Sequence, residues 1–174
     1  MRRLNKIEGE INADSNFALW VRFRDPGRGR AAYVRRDTTF MKITGGCHCG
    51  AIAYEAQVDP DAVTVCHCTD CQTLSGSAFR VVVAAKREGF KLAGEPKVYV
   101  KTGESGRKRV QTFCPNCGTP IYSADVANPQ VFNIRLGTVH QRAHLPPKVQ
   151  IWCRSALGWA MHLEPVAQIE KQNF

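Results

Sequence analysis

The chain has 174 residues, of which 44% are hydrophobic and eight are cysteine, and its formal net charge is +9. That length can bury a full core unaided, so metal or disulfides are not needed for size, and no apolar run approaches the roughly 20 residues of a membrane span. With no apolar signal segment at the start either, a soluble, cytoplasmic protein is expected, whose thiols stay reduced and serve as metal ligands rather than disulfides.

Residues 1–40 hold nine basic and five acidic residues and neither cysteine nor histidine. Residues 24–30, Arg-Asp-Pro-Gly-Arg-Gly-Arg, are rich in breakers, and residues 17–23 are the only strand-like run. Glu8, Glu10, Asp14, Asp25 and Asp37 argue against a mitochondrial transit peptide, which would be poor in acids. The expectation is a basic extension over 1–40, loosely ordered or dispensable, with Met41 as an alternative translation start and residues 41–174 as the domain. From residue 41 on, the basic excess falls to an ordinary +5, with no stripe of interleaved aromatic and basic residues, so nucleic acid is not the expected partner.

Ile52, Tyr54, Ala56 and Val58 alternate with Ala53, Glu55 and Gln57, the pattern of a half-buried strand, which Asp59-Pro60-Asp61 is expected to end. A short strand over 63–65 leads into Cys66, residues 69–74 make one helical turn, and Ser75-Gly76-Ser77 forms a turn. Residues 78–85 are β-branched and nearly continuously apolar, as for a strand covered on both sides. Further short strands are expected over 90–92, 98–100, 109–113, 120–123, 131–136 and 149–152, with a loop or helical turn over 157–163. Strands at such regular spacing, separated by Gly- and Pro-containing turns, predict an all-β sandwich or barrel.

The cysteines fall into three clusters, Cys47 and Cys49, then Cys66, Cys68 and Cys71, then Cys114 and Cys117, leaving Cys153 over. In an extended strand residues i and i+2 share a face, so Cys47 and Cys49 can reach one ion. Cys114-Pro-Asn-Cys117-Gly is a turn of the kind that closes zinc sites, with Gly118 free to take a positive φ. A structural zinc takes four protein ligands, whereas a zinc that meets substrate keeps a position open. The simplest division pairs Cys47 and Cys49 with Cys114 and Cys117 as a closed site, and leaves Cys66, Cys68 and Cys71 as an open one. The alternative is a second structural site, completed by His67, Cys153 or a remote histidine.

Strand alternation turns His48 and His67 away from the metal, towards supporting or surface roles. His140, His144 and His162 have no ligand spacing, Cys153 reads as a buried small residue, and Arg107-Lys-Arg109 reads as a solvated face. Ser75-Gly76-Ser77, beside the open site, either offers hydroxyls and backbone N–H groups to a ligand or is only the turn the chain needs.

Gly45-Gly-Cys-His-Cys-Gly50, Cys66-His-Cys-Thr-Asp-Cys71 followed by Ser75-Gly-Ser-Ala-Phe79, and Phe113-Cys-Pro-Asn-Cys-Gly-Thr119 with Tyr122 resemble the glutathione-dependent formaldehyde-activating family, which also contains centromere protein V. The likeness covers roughly residues 41–165, with Ile151, Trp152 and Trp159 in keeping with that family's later part. It implies a mainly β, Mss4-like fold of antiparallel sheets stapled by zinc, and two zinc ions per chain. The positions of Cys47, Cys49, Cys114 and Cys117 would hold the first ion, and those of Cys66, Cys68 and Cys71 the second, catalytic one. The implied activity is that of a carbon–sulfur lyase, joining glutathione and formaldehyde into S-hydroxymethylglutathione. For such an enzyme the turn of Ser75, Gly76 and Ser77, with the positive surface, is expected to hold the peptide and carboxylates of glutathione. A non-catalytic zinc module with a macromolecular partner is the competing expectation.

Overall fold

The computed structural model describes residues 21–24, 31–34 and 39–172. It divides into two units at Thr39. In the first, β1 (Val21–Arg24) pairs antiparallel with β2 (Ala31–Val34). Apart from residues 39 and 40, the rest of the expected extension, including the start of the strand-like run at 17–20, lies outside the described residues.

The second unit is an eight-stranded sheet, built from β3 (Met41–Gly46), β4 (Ala53–Cys66), β5 (Arg80–Ala93), β6 (Lys97–Thr102), β7 (Lys108–Phe113), β8 (Pro120–Asp125), β9 (Val131–Arg135) and β10 (Val149–Ile151). The strand order is β10-β4-β5-β9-β8-β7-β6, with β3 also paired to β4, and every pairing is antiparallel except that of β10 with β4. One short helix, α1 (Thr69–Ser75), links β4 to β5. Among the described residues no helix is long and apolar enough to cross a membrane. The expectation of a mainly antiparallel β domain is met.

The period-2 reading places the core correctly: Ile52, Tyr54, Ala56 and Val58 are buried while Ala53 and Gln57 are exposed. Ile43, Val63, Val83, Ile121 and Ile134 join them, each side chain worth about 1.5–3 kcal/mol on full burial. Phe90, Tyr122 and Phe132 pack against this core, with Phe90 and Phe132 stacked at 4.6 Å and Tyr122 edge-on to both.

Two expectations about strand limits are corrected. Asp59-Pro60-Asp61 does not end the strand; β4 runs through it. Val58 pairs with Ala85 and Val63 with Val83, so the extra residues of β4 bulge out. Pro60 has no N–H to lose from the ladder, and the Asp61 amide donates to Asp59 Oδ1 at 2.8 Å. Likewise the runs expected at 78–85 and 90–92 merge into one strand, β5, which begins at Arg80 rather than at Ala78. Strand β3 was not expected at all, since Ile43 is the one fully buried side chain of a segment too short to show periodicity.

Candidate metal centres

Two turns at one end of the sheet bring the first four thiols together. After β3, the Cys47 amide donates to Ile52 O at 3.0 Å and Gly50 turns with φ of 78°, which folds Cys49 back beside Cys47. After β7, the Cys114 amide donates to Thr119 O at 2.9 Å and Gly118 turns with the expected positive φ, 72°. The sulfurs of Cys47, Cys49, Cys114 and Cys117 then lie within 4.8 Å of one another, as the spacing argument paired them. Cys114 is fully buried and Cys117 exposed, and Thr119 Oγ1 lies 3.1 Å from Cys117 Sγ. That contact holds the Cys117 thiol down at about 5.

The second cluster sits where β4 gives way to α1. Cys66 is the last residue of β4, Cys68 the N-cap of α1 and Cys71 a member of its first turn, and their sulfurs also lie within 4.8 Å of one another. The Cys68 sulfur accepts from the Cys71 amide at 3.4 Å, taking the capping place usually filled by Ser, Thr, Asp or Asn. A hydrogen bond from Cys71 pulls the Cys66 thiol down to about 5 against the opposing effect of burial, and the positive charge of Arg80 helps. The same bond pushes Cys71 up.

Both donor sets fit zinc. Thiolates bonded to zinc at about 2.3 Å in a tetrahedron stand about 3.8 Å apart. Cys47 and Cys49 stand at 3.6 Å, Cys49 and Cys114 at 3.7 Å, and Cys66 and Cys68 at 3.6 Å. Disulfides, near 2.05 Å, are excluded at these separations. Among the described residues no fourth Cys, His, Asp or Glu joins the set of Cys66, Cys68 and Cys71.

Among the described residues none of the candidates for a fourth ligand joins this cluster, and His144 and His162 are exposed. His67 turns away from the cluster, as alternation requires, but into the interior: it is 1% exposed, 2.8 Å from Gln150 Oε1 through Nε2, and edge-on to Phe79. Its expected surface alternative is thus corrected, because Gln150 of β10 and Phe79 contact its ring. Cys153, expected to be buried, is exposed. His48 is exposed, and His140, also exposed, contacts Thr44 Oγ1. Arg107 and Arg109 both pair with Asp125.

Ser75, Gly76 and Ser77 close α1. Gly76 is left-handed with φ of 60°, and its amide and that of Ser77 donate to Thr73 O and Gln72 O, a Schellman cap. Both serine hydroxyls bond backbone oxygens as well, Ser75 to Cys71 O at 2.6 Å and Ser77 to Phe79 O at 3.0 Å.

Sequence reading missed two residues. Arg80 and Arg135 are each only 6% exposed, and both donate to Gln111 Oε1, at 3.3 and 2.5 Å. Burial, and then the charge of Arg80, draws Arg135 down to about 9. The available signal was a single arginine inside each of two strand runs, the first otherwise apolar and the second mostly so, with Asn133 as its other polar residue.

A family model described as glutathione-dependent formaldehyde-activating enzyme matches residues 42–155. A Schizosaccharomyces pombe protein named as an uncharacterized lyase is 29% identical over 80 residues, 46% of this chain and 56% of that protein. The chain therefore spans little more than half the length of this curated relative. A Rhodobacter sphaeroides protein of known crystal structure aligns with a TM-score of 0.48 and 17% identity, over 62% of this chain and 98% of the other.

Proposed function

The chain belongs to the glutathione-dependent formaldehyde-activating enzyme family, and from that premise we propose that it is a zinc-dependent carbon–sulfur lyase joining glutathione to formaldehyde as S-hydroxymethylglutathione. The observation that carries this reading is the inequality of the two clusters: four thiols converge in one, and three, without a fourth donor among the described residues, in the other. In this reading Cys47, Cys49, Cys114 and Cys117 hold a structural zinc. Cys66, Cys68 and Cys71 hold a second and leave one position for substrate. Zinc bound there supplies a site that favours a thiol as its thiolate at neutral pH.

The chain's own residues prepare that site. Cys66 faces Arg80 directly across β4 and β5, so a fixed positive charge stands beside the thiolates. The Ser75-Gly76-Ser77 cap fixes the end of α1 and thereby Cys71, with its donors used within the turn. In the addition, the thiol loses its proton to solvent, its sulfur bonds to the aldehyde carbon, the C=O π pair moves to oxygen, and that oxygen takes up a proton. The reverse step breaks the same carbon–sulfur bond.

Exchange NMR of glutathione and formaldehyde with catalytic amounts of the zinc-loaded protein tests the reading. Faster interconversion with S-hydroxymethylglutathione, abolished in folded Cys68→Ser, is the expected result. A rate equal to that of the spontaneous reaction removes this substrate pair and favours the binding-module alternative.

A further inference from the structure

Strand register places the buried arginines on the face of the sheet that carries Cys66. Cys66 stands opposite Arg80 across β4 and β5, Val82 opposite Arg135 across β5 and β9, and Arg80 and Val82 are two residues apart. Directly opposed residues share a face, as do residues i and i+2. The same steps through Asn133 and Ser123 put Gln111 of β7 on that face too.

Two like charges held side by side out of water raise each other's energy, and one neutral amide oxygen does not discharge them. Among the described residues neither arginine has a carboxylate partner; the nearby Arg109 adds a third positive charge, and Asp125 is taken up by Arg109 and Arg107. The Nε of each guanidinium is sealed from solvent with no partner. A three-thiolate zinc centre has a formal charge of −1 and offsets one arginine, leaving the other.

The pair starts beside the sulfurs, where Arg80 faces Cys66, and extends along the sheet from there. Gln111 draws both guanidinium groups away from β4, towards β7. Strands lie about 4.8 Å apart, so β9 is roughly 10 Å along the sheet from β4. A group recognised there is several bonds removed from a sulfur held by Cys66, Cys68 and Cys71. Planar, forked guanidinium donors match the two oxygens of a carboxylate.

We propose that Arg80 and Arg135, held together by Gln111, form the receptor for a carboxylate carried by the thiol substrate, several bonds from its sulfur. This rests on the reading of Cys66, Cys68 and Cys71 as the thiol-binding centre. The pair thereby favours thiols that carry a carboxylate, and small neutral thiols are disfavoured.

The test uses the zinc-loaded full chain and Gln111→Glu, a nearly isosteric change that supplies an internal carboxylate between the two arginines. Three probes are titrated by calorimetry: S-methylglutathione, which has the carboxylates and no thiol, glutathione, and 2-mercaptoethanol, which has the thiol and no carboxylate. S-methylglutathione should bind the unaltered protein and bind Gln111→Glu at least about tenfold more weakly, glutathione should weaken too, and 2-mercaptoethanol should be unaffected. The melting temperature of Gln111→Glu should rise, because the charges are now paired inside. Arg135→Gln is the second variant, with the same binding pattern expected should Gln111→Glu fail to fold.

The receptor is overturned if S-methylglutathione does not bind the unaltered protein, binds the folded variants equally well, or if 2-mercaptoethanol weakens as much as glutathione. Failure of the formaldehyde reaction alone is distinguishable: S-methylglutathione binding that depends on Gln111 without any turnover keeps the receptor and removes the reaction.

Discussion

Cys68 has two tasks, contributing a sulfur to the three-thiol cluster and capping α1 through the Cys71 amide. The two can be separated by substitution. Serine is among the best N-caps, so Cys68→Ser should keep the helix and lose about one equivalent of zinc, whereas Cys68→Ala should also lose about 1 kcal/mol of stability. Metal analysis beside thermal melts checks this, and equal melting of the two variants would remove the capping role. A second residue-scale test concerns Tyr54, whose hydroxyl sits 2.7 Å from Thr138 Oγ1 and is pushed up to about 12 by burial, with the Thr138 bond opposing. In the unfolded chain a tyrosine ionises near pH 10, so between about 10 and 12 the unfolded state has given up a proton that the folded state keeps. Stability tied to Tyr54 is therefore intact below about pH 10 and falls as pH rises towards 12. Denaturant titrations across that range should show this loss, and Tyr54→Phe should flatten it. Gly45 is locked in the same place: a Cβ there would stand 2.3 Å from Thr138 O and from the Tyr54 hydroxyl, so Gly45→Ala should cost about 1–3 kcal/mol through overpacking.

Between elements, the four-thiol centre ties the turn after β3 to the turn after β7, and Cys49 and Cys114 are 65 residues apart. Structural zinc contributes about 10–16 kcal/mol in small zinc domains, comparable to the whole stability of an ordinary one, about 5–15 kcal/mol. Cys117→Ala should therefore give unfolded or insoluble protein. Cys71→Ala, which disturbs only α1 and the end of β4, should remain folded with one zinc fewer. Equal damage by both substitutions, judged by circular dichroism and metal content, would show that the centres are not divided in this way. The pairing of these thiols was legible because each ligand pair is local: Cys47 with Cys49, and Cys114 with Cys117, announce themselves at fixed short spacings. The arginine pair was not legible, because Arg80, Arg135 and Gln111 meet only through the strand order β5-β9-β8-β7, which no short motif records. The bulge in β4 was misread for a related reason, since Asp59-Pro60-Asp61 carries the same local signal for a bulge as for an end, and only the partner strand decides.

For the molecule as a whole, strand β3 begins at Met41 and pairs at once with Val58, and the matched family region opens at residue 42. A chain beginning at Met41 should fold, bind two zinc ions and melt within a few degrees of the full chain. It loses the contact of Lys86 with Phe40, a cation–π pair at 5.7 Å that is worth about 0.5–1 kcal/mol when exposed. Insolubility, or a much lower melting temperature, would mean that residues before Met41 contribute to the core. Two unequal thiol centres lie in one sheet, and cadmium, a soft thiolate-binding substitute for zinc, lets each be observed separately. In cadmium-113 NMR of the fully exchanged protein, two resonances of equal intensity are predicted. Glutathione should shift one and leave the other in place, and the one that shifts should be the one missing from Cys68→Ser. A single resonance, or two that are both indifferent to glutathione, would contradict the account.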